Sequence, residues 1–232
     1  MNKNIIDNVS KIKNVNEILT SEGRDNGELL RQLYSQMLKN AKMIRDIDDM
    51  NIVYSYLARN YLIGDITPDI GSTYYECIKL CNILDRGIPV EKRKPIWLSI
   101  DSDGGDLEAT FTIIDAIEMS TTPVYTYNIG NAYSGGFFIF INGHKRFSTP
   151  RARFMFHEGS IGVGGMDTHK FRNYADFYDK ELDMLKKMTI EKSNMTEEQY
   201  RAIQKDDYWL TVPEAIEIGI VDKVVTSFEE VI

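Results

Sequence analysis

One hydroxyl group stands between a β-type run and an apolar run in the stretch Asn131-Ala132-Tyr133-Ser134-Gly135-Gly136-Phe137. The residues before it, 123–130, are rich in β-formers and end at a glycine, which predicts a buried strand that stops at a turn. Residues 135–141 are mostly apolar and predict a helix buried on nearly every side. Ser134 is therefore expected at a strand-to-helix junction, where a nucleophile can be presented.

This pattern allows two interpretations of Ser134. The first N–H groups of a helix have no partner inside the helix and can hold an oxyanion, and the glycines behind the serine let a substrate approach the backbone closely. Serine also favours the helix N-cap on its own account. A catalytic nucleophile and a simple helix cap therefore both stay open at this point.

A second strand-glycine-helix junction lies upstream. Residues 96–102 predict another strand, Gly104 and Gly105 follow it, and apolar residues then recur at helical spacing through Ile117. Two such junctions in one domain can bring two backbone N–H donors to one point. The alternative is a flexible turn that only reverses the chain.

A base for the serine is best supplied by His157, which ends the β-type run 153–156 and precedes a glycine-rich stretch. His144 lies in a polar turn and is expected to face solvent, and His169 opens a charged helical region, so neither has a strand end to fix its ring. The three histidines and two cysteines show no metal-ligand spacing, which argues against a zinc or iron site.

Serine-based acyl transfer also needs a third group that orients the base, and N–H donors for the tetrahedral oxyanion. The segment 205–211 offers Asp206 and Asp207 beside aromatic residues that can shield them partly from water. Acidic pairs in a polar segment are usually solvated surface. Spacing alone does not choose between the two.

Four separated motifs resemble those of ClpP, the proteolytic subunit of the Clp protease and a serine peptidase. They are Ser102-Asp103-Gly104-Gly105, then Ala132-Tyr133-Ser134-Gly135-Gly136-Phe137, then Met155-Phe156-His157, and a C-terminal run over residues 207–215 that continues to Gly219-Ile220-Val221-Asp222. The resemblance extends from about Tyr54 to Val225. The four motifs occur in the family's order and at similar spacing, which argues against coincidence.

The resemblance implies a catalytic triad of Ser134, His157 and Asp207, with Asp206 as the fallback acid. It implies that the backbone N–H groups of Gly105 and Gly135 form the oxyanion hole. The fold it implies is α/β, in the ClpP/crotonase-like superfold of stacked ββα units. Repeated β-then-helix units with glycine junctions agree with that class.

The chain departs from the family pattern at two places. After the histidine it reads Glu158-Gly159-Ser160 instead of the family's Gln-Pro, which can change how an extended peptide is held. Before Asp207, where the family commonly has an acid and an arginine used between rings of subunits, it reads Lys205 and Asp206. The second departure weakens the expectation of a standard double ring.

Residues 1–50 have no counterpart in the usual housekeeping subunit. They predict an amphipathic helix over 28–45 and a shorter helical arm before it. This helical extension is interpreted as a lid, a propeptide, an oligomer contact or a segment docked on its own domain. Residues 51–232 are assigned to the peptidase domain, and a long helix at about 171–190 corresponds to the family's handle, which packs against a partner handle from another ring.

Composition agrees with one α/β domain plus an appendage, because 232 residues with 43% hydrophobic content can build a sizeable core. The formal charge of -8 disfavours nucleic acid as a partner. No signal peptide or membrane-length apolar run is evident, so the cytoplasm is the expected location. Cys77 and Cys81 share one face of a predicted helix and are expected to be reduced core thiols.

The expected function is a serine endopeptidase acting through an acyl-enzyme, as a ClpP-like subunit of a homo-oligomeric ring. The resemblance implies a heptameric ring or stacked rings acting on polypeptides, fed by a Clp-type unfoldase ATPase. ATP would bind that partner, and no cofactor is expected on this chain. Three alternatives stay open: a virus-encoded head-maturation peptidase without an ATPase, a crotonase-like acyl-CoA enzyme, and a catalytically silent ring subunit.

Overall fold

The computed structural model describes residues 58–159, 167–204 and 206–231. The strands are β1 (Asn60–Ile63), β2 (Ile96–Ser102), β3 (Val124–Tyr133), β4 (Lys145–Ser148), β5 (Arg153–Phe156), β6 (Tyr208–Thr211) and β7 (Lys223–Val224). The α-helices are α1 (Ile70–Leu84), α2 (Leu107–Met119), α3 (Gly135–Ile141), α4 (Thr168–Glu191), α5 (Glu197–Ile203) and α6 (Val212–Glu217). Short 3-10 turns cover Val90–Lys92 and Phe228–Glu230. The predicted N-terminal helical extension lies outside the described residues.

The strands form one sheet in the order β1-β2-β3-β4-β7, with β5 branching from β3 and carrying β6. The pairs β2–β3, β3–β4, β3–β5 and β4–β7 are parallel, and only β5–β6 is antiparallel among the pairs whose register is resolved. A helix follows each of β1, β2 and β3 along the chain, which is the β-then-helix repetition that the sequence predicted. The α/β fold class is confirmed.

β3 is longer than the sequence predicted: it continues past Gly130 to Tyr133. A Cβ at Gly130 would lie 2.3 Å from the Asp101 Oδ1 atom, and the N–H of Asn131 donates to that same atom at 3.0 Å. The glycine therefore permits a close approach of β2 rather than a turn. The added residues pair with β5, and this pairing brings the segment that ends in His157 beside Ser134.

α3 is buried at every position, as its apolar sequence predicted. α2 is amphipathic and buries six of its residues, Ala109, Thr110, Ile113, Ile114, Ala116 and Ile117. The predicted long helix over 171–190 is present as α4, which begins a few residues earlier. Cys77 and Cys81 are buried on α1, and neither forms a disulfide.

Within the ranges that the structure describes, no helix combines the length and the apolar character needed to cross a membrane.

Candidate active site

Ser134 is the last residue before α3 and has a left-handed backbone, with φ at 50°. Such a conformation is uncommon for a residue with a Cβ and often marks functional sites. Its N–H donates to the Met155 carbonyl at 2.8 Å, which fixes the turn against β5. The side chain forms no helix-cap hydrogen bond; its Oγ instead lies 2.9 Å from Nε2 of His157. The geometry thus favours the nucleophile over the simple cap.

The two glycine junctions meet beside this serine. A Cβ on Gly135 would lie 3.7 Å from the Gly105 nitrogen, and a Cβ on Gly104 would lie 2.7 Å from the Ser134 Cβ. The Gly104–Gly105 turn is held by Ile66, whose N–H donates to the Gly104 carbonyl and whose carbonyl accepts from the Asp106 N–H. Within the described chain, no hydrogen bond uses the N–H of Gly105 or Gly135. Both amides are available to an oxyanion.

The backbone conformation of the Gly104–Gly105 turn requires glycine at both positions. Their φ angles are 100° and 147°, both in the region that disfavours side chains. A Cβ on Gly105 would also lie 2.1 Å from the Ile66 carbonyl oxygen. The alternative of a loose reversing turn therefore does not describe this segment.

His157 and Asp207 come together through the β5–β6 pair. Phe156 is opposite Tyr208 in this antiparallel register, so the residues just beyond them, His157 and Asp207, also face each other. The His157 Nδ1 and Asp207 Oδ1 atoms are 3.4 Å apart. The His157 side chain is 30% exposed and the Asp207 side chain is 52% exposed. Ser134, His157 and Asp207 thus form a continuous row from hydroxyl to carboxylate.

The fallback acid, Asp206, is exposed, and its N–H donates to the Ile203 carbonyl. No contact between its carboxylate and His157 occurs among the described residues. Of the other histidines, His144 is exposed as predicted, although its Nδ1 accepts a hydrogen bond from the Val124 N–H. Partial burial lowers the pKa of His144. His169 is exposed at the start of α4.

An aromatic cluster supports the site and was not predicted from the sequence. The Phe156 ring stacks on Phe137 at 4.8 Å and on Tyr200 at 5.9 Å between centroids, and packs edge to face on Tyr208 at 5.3 Å. Burial raises the pKa of Tyr200 to about 12, so the phenol stays neutral. The cluster joins α3, β5, α5 and β6, the elements around the row. Its members lie too far apart in the sequence for periodicity to group them.

A cavity of about 750 Å³ opens beside Ser134 and His157. One wall comes from α2 and the Gly105 turn, and the other from α4 and the residues after β5. The Tyr178 hydroxyl donates to the Glu158 carbonyl at 2.7 Å, which ties α4 to the segment that follows His157. Burial, and then the nearby carboxylates, raise the pKa of Tyr178. A peptide segment can lie in this cavity with a carbonyl at the serine.

Comparison with known proteins agrees with this geometry. A family model described as Clp protease matches residues 72–228. The chain belongs to the Clp protease family. It is 33% identical over 172 residues to the ATP-dependent Clp protease proteolytic subunit 2 of Borreliella burgdorferi, an alignment that covers 72% of this chain and 81% of that protein.

Two further relatives are similar over more than half of the chain. Subunit 2 of Treponema denticola is 29% identical over 192 residues, covering 79% of this chain and 90% of its own length. Proteolytic subunit 1 of Protochlamydia amoebophila is 35% identical over 146 residues, covering 60% of this chain and 68% of its own length. The chain is therefore a ClpP-like peptidase, and these similarities do not favour the acyl-CoA alternative.

Proposed function

We propose that this member of the Clp protease family is a serine endopeptidase that works through an acyl-enzyme. The observation that carries the proposal is the 2.9 Å contact between Ser134 Oγ and His157 Nε2, at a serine that leaves its capping role unused. A nucleophile within hydrogen-bond distance of a base that a third group orients is the arrangement such catalysis requires.

In the proposed first half-reaction, Ser134 Oγ attacks the carbonyl carbon of the scissile bond while His157 Nε2 takes the hydroxyl proton. The oxyanion of the tetrahedral intermediate accepts hydrogen bonds from the N–H groups of Gly105 and Gly135. His157 then returns the proton to the departing amine as the C–N bond breaks. An ester between Ser134 and the new C-terminal acyl group remains.

Water completes the cycle in the second half-reaction. His157 takes a proton from the water as its oxygen attacks the ester carbonyl, and the proton returns to Ser134 Oγ when the ester bond breaks. Asp207 accepts from the Nδ1 N–H and stabilises the imidazolium formed in both halves. Net hydrolysis consumes one water per peptide bond. This scheme uses no cofactor.

We further propose that the chain acts as a homo-oligomeric ring, heptameric and single or stacked, enclosing its sites and admitting unfolded polypeptide. Its relatives in Borreliella burgdorferi and Treponema denticola are ATP-dependent Clp protease proteolytic subunits by name, which supports a Clp-type ATPase as a feeding partner and a cytoplasmic setting. A peptidase that trims viral head proteins without an ATPase would use the same site. Specific retention of a Clp-type ATPase in a pulldown would favour the ATP-dependent role.

The test is labelling with a fluorophosphonate, in which an activated serine displaces fluoride, followed by intact-mass measurement. One adduct is expected on the wild type and on Ser72→Ala, an exposed serine of α1 that does not line the cavity. No adduct is expected on Ser134→Ala. Ser134→Ala and His157→Ala should each abolish peptide cleavage while the size-exclusion profile stays unchanged. Cleavage retained in either variant would refute the proposal.

A variant lacking the residues before Asp49 is labelled in parallel, because the N-terminal extension is one candidate for a lid. If neither the full chain nor this variant is labelled, the catalytically silent subunit becomes the correct description.

A further inference from the structure

The cavity beside Ser134 has an unusual acid in its wall. Glu181 lies on α4, is only 8% exposed, and lines the cavity together with the serine and His157. Within the described residues, no hydrogen bond or ion pair involves its carboxylate. Most of the side chain is withdrawn from solvent while the carboxylate oxygens remain open to the cavity, and a carboxylate with reduced hydration and no cation nearby is disfavoured.

A second acid, on another helix, lines the same cavity. Glu108, in the first turn of α2, also lines the cavity. Burial first, and then the charge of Glu108, raise the pKa of Glu181. None of the described residues around the cavity is a lysine or an arginine. The two walls therefore present like charges with no cation among the described residues to balance them.

The rest of the lining suits a long side chain with an apolar stem. Phe138 and Leu185 are buried and border the cavity, and Phe177 borders it while remaining half exposed. Lysine and arginine pack their methylene groups on apolar surface and carry the charge at the tip. A cationic tip near Glu181 and Glu108 would offset the cost of the reduced hydration of Glu181. It would also offset the repulsion between the two carboxylates.

We propose that this cavity binds the lysine or arginine side chain of the residue that contributes the scissile carbonyl, with Glu181 as the main determinant and Glu108 as a weaker one. The chain then cleaves preferentially after basic residues. The inference rests on the proposed serine peptidase function, because the cavity is adjacent to the acyl-binding atoms only if Ser134 is the nucleophile.

The test uses fluorogenic peptides that are identical except for lysine, arginine, leucine or glutamate before the cleaved bond. For the wild type, kcat/KM should be higher for the basic peptides than for the leucine peptide. Glu181→Gln should lower kcat/KM for the basic peptides about 10- to 100-fold, since an unpaired charge would enter the cavity. It should leave the leucine peptide unchanged or improved. Glu108→Gln should act in the same direction but less strongly, because Glu108 is exposed.

Glu191→Gln is the matched control, since Glu191 is an exposed glutamate at the end of the same helix and does not line the cavity. Its selectivity should equal that of the wild type. A wild-type preference for leucine, or an equal loss on all four peptides in Glu181→Gln, would overturn the proposal. The latter outcome would assign Glu181 a structural role instead.

A turnover-independent measurement separates this inference from the proposed function. Diphenyl phosphonates with a lysine-like or a leucine-like side chain are compared by the rate at which their adduct appears on Ser134, with a simple fluorophosphonate alongside. Faster labelling by the basic reagent, lost in Glu181→Gln, supports the inference. Labelling by the fluorophosphonate without a basic preference overturns the inference alone. Absence of all labelling overturns the peptidase proposal and this inference with it.

Discussion

Phe156 and Tyr208 pack edge to face with ring centroids 5.3 Å apart, and they are the residues directly before His157 and directly after Asp207. They are also opposite each other in the β5–β6 ladder. The antiparallel pairing and the ring contact together set the distance between the histidine and the aspartate. The row that we propose to be catalytic includes an exposed carboxylate, and its geometry is fixed by aromatic packing one residue away.

We predict that Tyr208→Leu lowers both stability and kcat, while Tyr208→Phe lowers neither appreciably. The edge-to-face contact contributes about 1 kcal/mol beyond simple burial, and only the leucine variant loses it. Thermal unfolding and peptide turnover measured on the same samples check this. If Tyr208→Leu destabilises the protein but keeps full kcat at a temperature where it is folded, the ring does not position the row.

Replacing each candidate aspartate by asparagine, which removes the charge but keeps the shape, identifies the acid that orients His157. Asp207→Asn should lower kcat on the order of 10⁴-fold, because the imidazolium loses its stabilising charge and the ring loses its preferred tautomer. Asp206→Asn is the matched control and should leave kcat within about twofold, as expected for an exposed side chain away from the base. Steady-state kinetics with one peptide decide between them. The opposite ranking would make the fallback acid, Asp206, the catalytic one.

Glu181 should make the folded protein less stable at neutral pH than its amide variant. The raised pKa means that the folded state holds this proton at pH values where the unfolded state has released it. Stability therefore falls as pH rises from the unfolded pKa through the raised folded pKa, and the penalty is complete above the latter. Glu181→Gln should raise the melting temperature at pH 7, and this gain should vanish as pH falls.

The comparison of melting temperatures between the wild type and Glu181→Gln requires a control variant, and the other titratable groups near Glu181 must be taken into account. Glu91→Gln, at an exposed glutamate in the first 3-10 turn, should show no such pH-dependent gain. The titratable groups that share the cavity with Glu181 are Asp103, Asp106, Glu108, His157, Glu158, Tyr174 and Tyr178. Since these are present in both proteins, the difference in melting temperature isolates Glu181. A gain that is the same at every pH would contradict the prediction.

Asp222 precedes β7 and binds Arg146 of the neighbouring strand β4. We expect its replacement to lower the stability of the fold and to leave kcat unchanged. Its carboxylate accepts hydrogen bonds from the Arg146 backbone N–H at 2.7 Å, from the Arg146 Nε at 3.1 Å and from the Arg146 Nη2 at 2.7 Å. Asp222→Asn removes the charge from this fork and should lower the free energy of unfolding by about 1–2 kcal/mol. Urea unfolding measures this, with the exposed Asp115→Asn as control. A loss of kcat without a loss of stability would be unexpected.

Much of the site could be read from the sequence because its parts are local. A strand, glycines and an apolar helix around Ser134, a similar junction at Gly104–Gly105, and a histidine at a strand end are each patterns of a few adjacent residues. Local steric rules and helix-terminus chemistry govern such patterns, so the patterns can be recognised without knowledge of the fold. The resemblance to the Clp family, carried by those same residues, supplied their pairing.

Other features depended on contacts between distant segments. Gly130 looked like a strand end, yet the approach of Asp101 from β2 makes it a site of close packing within a longer strand. The sequence predicted the long helix that became α4, but it did not reveal that Glu181 is buried and lines the same cavity as Glu108. A carboxylate in a charged helix normally faces water, and only the tertiary packing around α4 shows that Glu181 is buried.

The fold class, the two glycine junctions and the candidate nucleophile, base and acids could be predicted from the amino-acid pattern, because backbone sterics and hydrophobic periodicity act over short spans. Only the packed structure shows how far Asp207 lies from His157, how the aromatic cluster supports the row, and which charges line the cavity. Those relationships join residues far apart along the chain. Their energies depend on distance and burial, which are set only when the sheet and helices pack.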